Sequence, residues 1–226
     1  YRCFLIVSVC YVVVDSKGII YISDANNHVI RKIVDGAVYT HAGTGEAGFK
    51  NGAKTSAQFN YPTGLAIDEN DHLYVADTLN HIVRKVTPDG FVTTFAGQAE
   101  EIGGLQNGSA LTARFNEPVD VTFGDDGQLF VSDSGNQVIR VVSDNTVSTY
   151  AGVTTTREEG TDYYEGGYQN GLKEAARFHY PAGIDFEAGY LFIADTLNNR
   201  VRAVTPDGDV LNIAGKSESG NIGGIL

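Results

Sequence analysis

The sequence predicts an all-β protein, a β-propeller or an open propeller arc of about four blades, each with four antiparallel strands. Three observations predict it: a seven-residue phrase occurs four times, an arginine and an Ala-Gly pair follow every copy, and turn-rich segments separate the copies. Recurrence at a period of about 55 residues is typical of repeat architectures. A four-stranded meander cannot bury both faces alone, so neighbouring copies must cover one another.

The repeated phrase reads aromatic, β-branched, small, Asp, two variable residues, Asn. Its aspartates are Asp24, Asp77, Asp133 and Asp195. An arginine stands seven residues after each of them, at Arg31, Arg84, Arg140 and Arg202. Between phrases, Asn-Gly pairs precede an Ala-x-Phe segment and a proline, and Asn-Gly is a strong turn signal.

The second copy shows how one unit divides into strands. Residues 64–68, 73–76, 81–86 and 91–95 alternate in hydrophobicity and are separated by short turns. Loops of two to five residues require antiparallel pairing, because a parallel crossover needs about a dozen residues. The predicted blades span about residues 11–43, 61–97, 117–152 and 180–215. The best helical candidate is residues 55–59, at most one turn.

The two ends of the chain depart from the repeat. Residues 1–14 are mostly apolar and β-branched, which predicts one or two irregular strands. Their length also fits the apolar region of a signal peptide, so we lean towards an extracytoplasmic or secreted location. If Cys3 and Cys10 lie on one strand, they face opposite sides of it and would not pair. Residues 216–226 begin another inter-blade loop.

The net charge and the apolar content narrow the classes of partner that the protein can bind. The net charge is −12, which disfavours a broad nucleic-acid surface because the chain repels phosphates at long range. No apolar run approaches the roughly 20 residues of a membrane-spanning helix.

The repeated unit resembles the NHL repeat, named for an Asn-His-Leu triad. The triad is present here as Asn80-His81-Ile82 and Asn27-His28-Val29, whereas Gln137 and Asn199 replace the histidine in the later copies. The resemblance implies a propeller, most often of six blades, so four blades indicate a fragment. We favour an open arc over a small closed ring, and we expect its uncovered ends to self-associate.

The repeated aspartates and arginines favour architecture over catalysis, because an active site needs one copy. Apolar residues flank the arginine on its strand face, which predicts burial and pairing with a carboxylate. The aspartate is placed to cap its turn through backbone amides. His28 and His81 are expected to be exposed turn residues.

Metal binding is the alternative to a purely structural repeat. Relatives include amidating lyases with channel-lining zinc histidines, but no histidine here falls on an innermost strand. Calcium fits clustered oxygen ligands. Asp120 takes the channel-facing place held by Gly64 and Gly183, with Glu117 and Asn116 nearby. No cofactor is expected, and calcium is the alternative.

The longest departure from the repeat is the loop 153–179. Its acids and tyrosines suit contact with a partner and are Glu158, Glu159, Asp162, Tyr163, Tyr164 and Tyr168. We therefore predict a non-catalytic scaffold that engages a protein, peptide or carbohydrate through this loop face. The alternatives are a calcium- or zinc-dependent propeller hydrolase or an amidating-lyase-like enzyme, and an RNA-binding domain, which the charge disfavours.

Overall fold

The computed structural model describes residues 11–99 and 103–220. The predictions for Cys3, Cys10 and the apolar strand before Tyr11 lie outside the described residues. So does the end of the final segment, residues 221–226.

Four antiparallel sheets follow one another along the chain, which confirms the predicted all-β fold of four antiparallel blades. The first sheet contains β1 Val12–Val14, β2 Ile20–Asp24, β3 Val29–Val34 and β4 Ala37–Ala42. The second contains β5 Pro62–Ile67, β6 Leu73–Asp77, β7 Ile82–Val86 and β8 Val92–Ala96. The third contains β9 Gly108–Ser109, β10 Pro118–Phe123, β11 Leu129–Asp133, β12 Val138–Ser143 and β13 Thr146–Ala151. The fourth contains β14 Gly171–Leu172, β15 Pro181–Glu187, β16 Tyr190–Asp195, β17 Arg200–Val204 and β18 Asp209–Gly215.

Two sheets have a short fifth strand at the outer edge. The loop before the third blade runs outwards, so that β9 pairs with β13, and β14 pairs with β18 in the same way. These short strands cover part of an otherwise open outer edge, which reduces the risk of edge-to-edge association.

Adjacent blades pack face to face through alternating side chains. We call the face of a blade that contacts the next blade its trailing face, and the opposite one its leading face. Tyr74, Ala76 and Val83 on the trailing face of the second blade belong to one buried cluster with Leu129 and Val131 on the leading face of the third. The same alternation of β-strand side chains therefore builds each blade and joins it to its neighbour.

The four sheets do not close into a ring. Val12 on the leading face of the first blade is 54% exposed, and Val201 on the trailing face of the fourth is 41% exposed. Their repeat equivalents at interior interfaces are covered by a neighbouring blade. The molecule is thus an open arc with two apolar end faces, as the sequence favoured.

Short 3-10 turns join the second and third strands of each blade. They span Ala25–Asn27, Thr78–Asn80, Ser134–Asn136 and Thr196–Asn198. The predicted helical turn at 55–59 is absent, since residues 54–56 form an ordinary turn. Within the described ranges, no helix is long and apolar enough to cross a membrane.

Candidate functional site

One end of the arc gathers the irregular segments. Because strands alternate in direction, the 3-10 turns and the long inter-blade loops emerge together, and we call this end the loop face. The innermost strands β5, β10 and β15 each begin there with a proline. The residue before each of these prolines therefore lies at the loop-face mouth of the central channel.

A buried aspartate–arginine network fixes the loop face of the second blade. Arg84 Nη1 donates to Asp77 Oδ2 at 2.6 Å, and both side chains are fully buried. Asp77 also accepts hydrogen bonds from the Asn60 amide at 2.7 Å and from Asn80 Nδ2 at 2.8 Å. The expectation that this aspartate caps its own turn through backbone amides is wrong, because its carboxylate is aimed at the preceding loop instead.

The arginine completes the attachment of that loop. Arg84 donates to the carbonyls of Gln58 and Lys50 and to Asn51 Oδ1, at 2.8–2.9 Å. Its guanidinium also stacks on the Phe59 ring, 5.0 Å from the centroid. The Asn-Gly and Ala-x-Phe segments are therefore ligands of the arginine as well as turn signals.

The third and fourth blades contain the same network, whereas the ion pair of the first blade is more exposed. Arg140 pairs with Asp133 and Arg202 with Asp195, each at 2.7 Å and fully buried. Arg31 pairs with Asp24 at 2.9 Å, but its side chain is 31% exposed.

A second set of hydrogen bonds joins consecutive blades at the loop face. His28 Nδ1 accepts a hydrogen bond from the Tyr61 amide at 3.1 Å, and His81 Nδ1 accepts one from the Glu117 amide at 3.0 Å. Gln137 Oε1 accepts from the Tyr180 amide in the same way. His81 is only 6% exposed, so the expectation of an exposed turn residue is wrong for it.

These bonds hold three bulky residues in an unusual conformation. Tyr61, Glu117 and Tyr180 immediately precede the three prolines and have φ angles of 59°, 48° and 52°. Residues other than glycine rarely adopt this left-handed backbone region, which costs about 1–3 kcal/mol for each residue. With Tyr163 from the long loop, these residues form the mouth cluster.

The members of the mouth cluster interact electrostatically. Burial, followed by the nearby Glu117 carboxylate, raises the pKa of Tyr163. Burial, followed by the nearby Glu117 and Tyr61, raises the pKa of Tyr180 to about 12. Tyr163 and Tyr180 therefore stay neutral over the physiological range.

Asp120 lies deeper, between the third and fourth blades. The sequence suggested that its side chain projects into the channel, but this residue is 4% exposed. Its Oδ2 accepts a hydrogen bond from the Ile184 amide at 2.8 Å and its Oδ1 from the Val121 amide at 2.9 Å. Burial raises the pKa of Asp120 to about 8. The carboxyl group thus links two blades and is turned away from open solvent.

The long loop folds into a small hairpin that is attached to the third blade. Arg157 and Tyr164 pair as antiparallel partners, and the guanidinium stacks on the ring at 5.1 Å. The Tyr164 amide donates to the Gly135 carbonyl at 3.1 Å, and Gln137 Nε2 donates to the Tyr164 carbonyl at 3.0 Å. We call residues 157–164 the acidic hairpin.

The remaining predicted contact residues fall into two groups. Glu158 and Glu159 are exposed at the tip of the acidic hairpin, and Asp162 is half-buried near its base. Tyr168 instead lies over the Arg200 and Arg202 guanidinium groups, at 4.1 and 4.7 Å, in the place that Phe49 takes over Arg84. The structure therefore brings Tyr163 to the mouth and assigns Tyr168 a packing contact.

A metal ion in a protein is held by a group of several ligand side chains. The described ranges contain no group of three or more His, Cys, Asp or Glu side chains that could hold a metal ion. The Asp120 carboxylate, the calcium candidate, accepts hydrogen bonds from the Ile184 and Val121 amides.

Comparisons with known proteins agree with this architecture. The family model for the Teneurin NHL domain matches residues 42–222. Protein SUPPRESSOR OF QUENCHING 1, chloroplastic, of Arabidopsis thaliana is 49% identical over 73 residues, 31% of this chain and 7% of that protein. NHL repeat-containing protein 2 of Gallus gallus is 28% identical over 225 residues, 90% of this chain and 31% of that protein. The chain thus spans less than a third of the length of these curated relatives.

Solved structures share the fold at low sequence identity. An auxiliary nutrient binding protein from Bacteroides ovatus superposes with a TM-score of 0.63 and 19% identity, covering 91% of this chain and 48% of that one. A streptogramin B lyase gives 0.57 and 17% identity, covering 89% and 53%. At these identities the likeness extends to the propeller fold alone.

Proposed function

This chain belongs to the NHL-repeat family of β-propellers, and on that premise we propose that it is a non-catalytic scaffold that binds a protein or peptide through its loop face. One observation carries the proposal. The acidic hairpin interrupts an otherwise regular repeat, yet it is hydrogen-bonded to the third blade and its tip carries exposed carboxylates.

The attachment of the hairpin favours recognition over a solvated insertion. Asn116 Nδ2 donates to the Asp162 carbonyl at 2.9 Å, which adds to the two bonds at Tyr164. A loop that is ordered before binding loses less conformational entropy when a partner docks. The acids at its tip, Glu158 and Glu159, favour a partner of positive charge.

The test removes the hairpin and leaves the blades intact. Because Arg157 and Tyr164 are cross-strand partners, residues 158–163 can be replaced by Asn-Gly, which closes a two-residue hairpin. A partner is identified by pull-down with the 226-residue chain, and its affinity is then measured for both proteins.

We expect the truncated protein to keep its circular dichroism spectrum and to bind the partner at least about tenfold more weakly. Affinity should also fall as salt is added, because an acidic surface attracts a basic partner less strongly under screening. Equal affinity of the two proteins would place the binding surface elsewhere.

A further inference from the structure

The mouth cluster is held with unusual rigidity. In each of three blades, two successive amides before the innermost strand are anchored. Asp77, Asp133 and Asp195 of the same blade accept from the Asn60, Asn116 and His179 amides at 2.7–2.8 Å. The next amide donates to a side chain of the preceding blade, namely His28, His81 or Gln137. The backbone at the mouth is therefore fixed before any ligand arrives.

The side chain at this fixed position changes from blade to blade. It is Tyr61 in the second, Glu117 in the third and Tyr180 in the fourth, each with a positive φ. Glycine would adopt this φ without strain, so the backbone alone does not call for a tyrosine or a glutamate. Strained residues that surrounding structure holds in place cluster at binding sites.

The chemistry of the mouth cluster suits an organic cation. Glu117 supplies a carboxylate, and the bond from Asn116 Nδ2 to the Asp162 carbonyl at 2.9 Å holds Tyr163 beside it. Tyr61 and Tyr180 precede the two strands that flank β10, and Tyr61 and Glu117 both act electrostatically on Tyr180. Aromatic faces and a carboxylate together favour ammonium and guanidinium groups. The exposed acids Glu158 and Glu159 would draw such a group towards the mouth.

We propose that the mouth cluster binds a lysine or arginine side chain of the peptide partner. This inference rests on the proposed scaffold function and deepens it by naming the anchoring group. The cation would contact Glu117 and the ring faces of Tyr61, Tyr163 and Tyr180.

The experiment titrates the 226-residue chain with acetyl-Gly-Lys-Gly-amide by calorimetry, and repeats the titration with the Nε-acetylated lysine peptide. We expect saturable binding of the charged peptide and at least about tenfold weaker binding of the neutral one. Glu117→Gln should weaken binding of the charged peptide by a similar factor. Glu187→Gln is the matched control, because it removes the same charge from an exposed site at the opposite end of β15.

Tyr180→Gly is a second variant, in which an effect on peptide binding can be separated from a loss of folding. Glycine suits the φ of 52°, so we expect a preserved circular dichroism spectrum together with weakened peptide binding. No binding of the charged peptide, or equal binding by the Glu117→Gln protein, would overturn the cation site. A pulled-down partner that loses affinity on hairpin truncation but binds the Glu117→Gln protein normally would overturn this inference while leaving the scaffold function in place.

Discussion

Arg84 and Arg31 occupy the same repeat position but differ in burial, which makes them a matched pair. Arg84 is fully buried against Asp77, whereas the side chain of Arg31 is 31% exposed. Removing one partner of a buried ion pair leaves an uncompensated charge and costs about 3–5 kcal/mol. We therefore expect Arg84→Ala to lower the free energy of unfolding by about 3 kcal/mol or more in urea titrations. Arg31→Ala should cost about 1 kcal/mol or less, and equal losses for the two variants would contradict the assignment.

His41 makes stability depend on pH. It is buried beside Tyr21, and burial, aided by Lys32, lowers its pKa to about 4, with Lys54 and Asp89 also nearby. The unfolded chain binds this proton near pH 6.5, so the stability that neutral His41 contributes is present above pH 6.5 and is lost as the pH falls towards 4.

The repeat supplies the control for this effect, since Phe95 holds the equivalent place in the second blade. The difference in unfolding free energy between wild type and His41→Phe should change by up to about 3 kcal/mol between pH 7 and pH 4. Taking the difference cancels the opposite slope from Asp120, whose pKa is raised to about 8. A difference that is constant with pH would show that His41 titrates normally.

At the scale of elements, the 3-10 turn and the residue after it form the connection between blades. His28, His81, Gln137 and Asn199 all follow their turn with φ between 54° and 59°. Gln137 accepts the same type of amide hydrogen bond that His81 accepts. His81→Gln should therefore keep the unfolding free energy within about 0.5 kcal/mol of wild type. His81→Ala should lower it by about 1–3 kcal/mol, because the Glu117 amide is left unsatisfied. Equal losses would mean that the amide bond contributes nothing.

Sequence periodicity predicted the strands well and their connections poorly. The expected strand 73–76 matches Leu73–Asp77, because its alternating apolar residues face two neighbouring blades. The short strand Gly108–Ser109 was missed, since two residues carry no period and their pairing depends on where the loop returns. The role of His81 was also missed, although Asn, His and Gln at one repeat position after a turn are a signal for left-handed backbone.

At the scale of the whole molecule, the repeat predicted the open arc but could not place the mouth cluster. No sequence signal marks Tyr61, Glu117 and Tyr180, because the three residues occupy the same repeat position but differ in type. Their meeting at the channel depends on the curvature of the arc. Tyr163 reaches Glu117 only through the fold of the acidic hairpin, which no repeat copy prefigures.

The open arc should associate through its end faces. Val201 and Ile213 on the trailing face of the fourth blade are 41% and 38% exposed, whereas Val83, the equivalent of Val201, is fully buried. Apolar surface that a further blade would cover drives association in water. We expect sedimentation velocity of the 226-residue chain to show larger species as concentration rises, and the double variant Val201→Lys with Ile213→Lys to remain a monomer.

The control adds the same two charges at Phe91 and Leu111, exposed apolar residues away from both end faces, and should associate like wild type. A wild-type monomer at every concentration would show that the end faces are stable in solvent, and loss of association in the control would show that charge alone is responsible.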